Sequence, residues 1–144
     1  MNNNSSFKGL RIFLRTWAVL CMIVMTINWS AFIFQWLQFN PGGPLNWMIW
    51  DDVYGHVGPM IFVIYIVWSV FLIKAASDPI GNKTFLDFTF WSNIAHALVM
   101  VPMALNDAMY HSKFLTDIPF ILFLSIGIYI WRPSANELAG TGSV

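Results

Sequence analysis

Charge is scarce in this chain of 144 residues. Only 10% of the residues are charged, against about 25% in soluble domains, and 58% are hydrophobic. An ordinary soluble domain is thereby excluded. Seven Lys and Arg balance seven Asp and Glu, so there is no excess positive charge to recruit nucleic acid. Sulfur chemistry is equally thin. The single cysteine, Cys21, excludes an intrachain disulfide and a cysteine-based metal site. It lies in an apolar run and reads as a small buried hydrophobe. No nucleophile triad, phosphate-binding glycine loop or dinucleotide fingerprint is present. The sequence therefore points away from an enzyme.

What the chain does have is long apolar runs. They predict an all-α integral membrane protein, a single domain over 1–144, with four spans near 13–37, 53–75, 85–109 and 118–131. The first run follows Lys8, Arg11 and Arg15, as a signal peptide would. Its apolar part, Trp17 to Leu37, is longer than the about 7–15 residues of a signal sequence, so it reads as a retained span. The fourth is short, at ~21 Å against a ~30 Å hydrocarbon core, unless Phe114 and Leu115 extend it.

Turn chemistry separates the runs. Asn40-Pro41-Gly42-Gly43-Pro44 cannot continue a helix. Trp47 and Trp50 suggest a short helix lying in the membrane–water interface. Ser77 to Asn82 reads as a tight turn, and Thr84 with Asp87 as a capping-box variant opening the third span. Thr116, Asp117 and Pro119 open the fourth, and Pro102 falls inside the third. Lys8, Arg11, Arg15, Lys74, Lys83 and Arg132 fall on one side of this arrangement and Lys113 alone on the other. The positive-inside rule then predicts an antiparallel bundle with both termini cytoplasmic.

Two short patterns stand out at the opposite ends of the second and third spans. Asp52 and His56 are four residues apart, and so are Asp107 and His111. On a helix, such residues share a face. Placing Tyr65 and Ala97 at the midpoints puts His56 at ~13 Å and Asp107 at ~15 Å from the midplane, with Asp52 at ~19 Å and His111 at ~21 Å. Two imidazoles and two carboxylates at matched depths would suit Zn, Cu, Fe or Mn. The same residues also read as solvated interfacial groups, and Asp51 or Asp52 as a helix cap. His96 differs, because it falls near the bilayer centre. There it reads as a cofactor ligand, a proton relay, or a neutral histidine bonded to Asn28, Ser69 or Ser125 on another helix. His96, Met100, Met103 and Asp107 fall at spacings that suggest one face.

His56 heading the second span, the turn from Ala75 to Pro79, and the run from Phe88 to Ala97 carry a resemblance. Over Val53 to Ile130 the chain resembles a family of small bacterial four-span membrane proteins defined only as a domain of unknown function. The resemblance implies the bacterial inner membrane and no particular activity. Three expectations for function follow. The first is a non-enzymatic accessory or interaction subunit, with a membrane-protein partner or a second copy of itself. The second is a protein binding Zn, Cu or Fe through Asp52, His56, Asp107 and His111. The third is an oligomeric transporter or channel with His96 lining a path.

Overall fold

A computed structural model of the chain describes residues 7–49 and 57–131. Four long helices dominate it: α1 Lys8–Phe34, α2 Val57–Ser77, α3 Lys83–Asn106 and α4 Asp117–Trp131. Three short 3-10 helices, Leu37–Phe39, Asn46–Met48 and Ala108–Phe114, fill the connections, and the described residues contain no strand. Four segments are long and apolar enough to cross a membrane, the last being Ala108–Trp131, which joins the third 3-10 helix to α4. The fourth apolar run thus gains length from residues ahead of α4, including Phe114 and Leu115.

The helix ends follow from local chemistry. After Phe34 the backbone turns left-handed at Gln35 (φ 49°), and the amide of Trp36 reaches back to the carbonyl of Ala31 at 3.1 Å. This pattern closes a helix by satisfying its last carbonyls. Gly42 (φ 84°) supplies the left-handed position that L side chains rarely adopt. The Leu45 amide bonds the Gln38 carbonyl at 2.9 Å, folding the loop onto itself. Phe39, fully buried, plugs it against Ala31 and Ile49. At the other end of the bundle Asp78 builds the α2–α3 turn, with Oδ1 accepting from the Gly81 amide at 3.0 Å and its carbonyl from the Asn82 side chain at 2.8 Å. The capping box at Thr84 does not form. The helix starts at Lys83, so that Thr84 already lies inside its first turn, and Asp87 pairs with Lys83 one turn away.

Packing joins the helices around a square, each antiparallel to its neighbours. α1 lies along α2, and α3 along α4. Trp17 of α1 stacks on Phe120 of α4 at 4.8 Å, and its indole nitrogen donates to the Phe120 carbonyl at 3.3 Å. Phe13 of α1 presses on Gly127 of α4 so closely that any Cβ at Gly127 would collide with its ring. By contrast, α2 and α3 touch only lightly, although a short turn joins them. Close pairing of the second and third spans, which the depth argument assumed, is not what the helix axes do. Long side chains bridge them instead.

Candidate functional site

The α2–α3 bridge is made of aromatic and polar groups halfway along the helices. The Tyr65 hydroxyl and the His96 Nδ1 lie 2.8 Å apart. One turn further along α2, the Trp68 indole nitrogen donates to the Thr89 hydroxyl at 3.0 Å. Tyr65 and Trp68 stack at 5.4 Å with ring planes 26° apart, and Phe88 tilts against Trp68 at 5.9 Å. Helix periodicity explains the grouping. Tyr65 and Trp68 are three apart on α2, and Thr89 and His96 are two turns apart on α3, so each pair falls on one face. Tyr65 is buried, whereas the His96 ring is half-buried.

The helix partners expected for His96 are occupied elsewhere. Asn28 donates to the Val24 carbonyl at 2.9 Å, Ser69 to the Tyr65 carbonyl at 2.7 Å, and Ser125 to the Phe90 carbonyl at 3.1 Å. The partner is Tyr65. The signal for it was present in the sequence, since Tyr65 marks the middle of its span as Ala97 does of the next. The His96–Asp107 stripe also divides. Met100 is buried, Met103 is exposed, and Asp107 lies beyond the helix end. Behind His96, Asn93 is buried and donates to the Thr89 carbonyl at 2.8 Å, while its Oδ1 has no partner.

The aspartate–histidine pairs take a different form from the one expected. Asp52 and His56 lie outside the described residues. Asp107 is not helical. With φ −133° and ψ 120° it breaks the chain out of α3, and its carboxylate caps the 3-10 helix Ala108–Phe114 by accepting from the Met109 amide at 2.9 Å. His111 therefore follows it on a different kind of helix, with about 3.0 residues per turn, so their spacing no longer places them on one face. His111 is exposed. Among the described residues no three His, Cys, Asp or Glu side chains gather, and metal binding has no support there.

That end of the bundle is organised by a residue the sequence reading treated only as a lone charge. Lys113 is 1% exposed. Its ammonium donates to the Trp47 carbonyl at 2.7 Å and pairs with Asp117 at 3.1 Å. It ties the loop after α1 to the start of α4. The four-residue spacing of Lys113 and Asp117, N-terminal to an apolar run, was the available signal. A small cleft of about 60 Å³ lies beside it, lined by Pro41, Asn46, Trp47, Ile49, Met109, Tyr110 and Ser112.

The architecture is that of a small all-α protein whose four helical segments are each apolar enough to span a bilayer, bridged halfway by a tyrosine–histidine bond. The chain belongs to a family of unknown function, DUF6632, whose model matches residues 4–138. The match takes in the first helix and the Pro-Gly-Gly-Pro loop, beyond the stretch from Val53 to Ile130 on which the resemblance rested. No curated protein and no solved structure matches the chain.

Proposed function

We propose that this chain is a non-enzymatic integral membrane protein of the bacterial inner membrane, with both termini cytoplasmic, and that it acts as an accessory or interaction subunit. The observation that carries this reading is the half-open Tyr65–His96 bridge between two lightly touching helices. Association of helices within lipid gains little from apolar burial, because acyl chains are as apolar as leucine. It relies on packing and on polar contacts between helices. A polar group left partly open at mid-depth is therefore a natural contact for another protein helix. The outer faces agree with this. Only 28–33% of an 18-residue apolar stretch in each segment is buried within the bundle, and Phe88, Trp91, Leu98 and Val99 of α3 are all exposed.

In-membrane photocrosslinking tests the reading. A photoreactive residue at Val99, one turn from His96, is expected to join the chain to a discrete polypeptide in intact cells. The same residue at Val19, on the diagonally placed α1, serves as the control. Adducts with lipid alone at both positions would contradict a role in protein contacts.

A further inference from the structure

The Tyr65–His96 bond has two protons to share, the phenolic O–H and one imidazole N–H, and uses only one of them. If Tyr65 donates to Nδ1, then Nε2 carries the remaining hydrogen and is a donor. If Nδ1–H donates to Tyr65, then Nε2 is a bare acceptor. In either case Nε2 needs a partner, and none of the described residues provides one. His96 sits ~2 Å from the middle of α3. With α3 across a bilayer, water and the lipid carbonyls lie roughly 15 Å away. At that depth an unsatisfied polar group is costly, and only another solute of the membrane can satisfy it.

A second copy of the chain meets this need by symmetry. Copies inserted in the same orientation and related by a two-fold axis along the membrane normal present the same residue at the same depth. Here that residue is complementary to itself, because the tyrosine–histidine bond can be polarised in either direction. One copy, with Tyr65 donating, offers Nε2–H. The other, with Nδ1 donating, offers the Nε2 lone pair. The result is one continuous chain of hydrogen bonds, tyrosine to histidine to histidine to tyrosine. The surroundings allow the approach. Ala95, next to His96, is exposed and small, and Ser92, one turn earlier, is half-buried and small, which lets helix backbones come close. Asn28, Ser69, Asn93 and Ser125 are buried inside the bundle and cannot reach a neighbour.

We propose that two copies of the chain dimerise on the α2–α3 side with their His96 imidazoles hydrogen-bonded through Nε2. The proposal names the partner for the interaction reading above and rests on it.

The test uses the full chain, with Cys21→Ala, in phosphatidylcholine–phosphatidylglycerol vesicles, and an oxidant to form disulfides. Ala95→Cys is expected to yield a crosslinked dimer well above Val19→Cys, which is similarly deep but on α1. Adding His96→Leu is expected to weaken association about tenfold, the equivalent of one intramembrane hydrogen bond. His96→Gln keeps an amide to donate and accept, and is expected to retain most of the dimer. Equal crosslinking at Ala95→Cys and Val19→Cys would overturn the proposal, whatever the folding of the His96 variants. So would dimerisation undiminished by a folded His96→Leu chain. A chain that is monomeric in this assay yet photocrosslinks through Val99 to a different polypeptide would refute the dimer alone. Lipid adducts only, at both photocrosslinking positions, would remove the interaction reading with it.

Discussion

Replacement of Trp17 by alanine is expected to destabilise the folded protein by about 3 kcal/mol, at the low end of the range for a buried tryptophan. Trp17 is buried between α1 and α4, stacked on Phe120 and bonded to its carbonyl. These contacts join the α1–α2 pair to the α3–α4 pair. The low end applies because the cavity left in a membrane bundle loses packing and a hydrogen bond, while the transfer of indole from water counts for less in lipid. Unfolding of the reconstituted chain by a denaturing detergent measures the loss. Trp91→Ala, at a residue 66% exposed, is the comparison, and it should change stability by no more than about 0.5 kcal/mol. Equal effects of the two substitutions would show that α1 and α4 do not pack as described.

The next largest effect is expected at Lys113, just ahead of α4. Lys113→Ala should cost about 2 kcal/mol. Removing one member of a fully buried ion pair costs roughly 3–5 kcal/mol, but Asp117 retains 32% of its side-chain exposure, and water covers part of the loss. The substitution strips a donor from the Trp47 carbonyl as well, so the loop after α1 should loosen from α4. Faster amide exchange in residues 45–49 would report this. Lys83→Ala provides the contrast. Its pair with Asp87 is also four residues apart on a helix but is 45% and 41% exposed, and such pairs contribute only about 0.3–0.5 kcal/mol. If Lys83→Ala proved as costly as Lys113→Ala, burial would not be what gives Lys113 its role.

These two sites differ in how far the sequence revealed them. The four helices were legible because apolar runs and turn residues alternate sharply. Pro41 to Pro44 and Asp78 to Asn82 leave little freedom over where the chain reverses. The neighbour relations were not legible. A short turn suggested that α2 and α3 pack along their lengths, yet the complementary surfaces are Trp17 with Phe120, and Phe13 with Gly127, which join α1 to α4 across more than a hundred residues. No periodicity encodes that choice. The Asp107–His111 pattern misled for a local reason. Four-residue spacing means a shared face only while the helix continues, and Asp107 instead turns its carboxylate onto the Met109 amide. Aspartate competes with helix in this way because its short side chain reaches nearby backbone donors. His96 was legible as a mid-depth polar residue, but its partner was sought among small hydroxyl and amide side chains. A tyrosine, with its longer reach, can span helices whose backbones stay apart.

The claim on which the rest depends is that the four apolar helices cross a bilayer in alternating directions. It is tested most directly by thiol labelling of single cysteines placed at Ser77, beside the α2–α3 turn, and at Ser112, in the 3-10 helix before α4, in the Cys21→Ala chain. With sealed vesicles of known orientation and a membrane-impermeant reagent, Ser77→Cys should react only from the cytoplasmic side and Ser112→Cys only from the opposite side. Labelling of both positions from the same side would contradict the four-span arrangement.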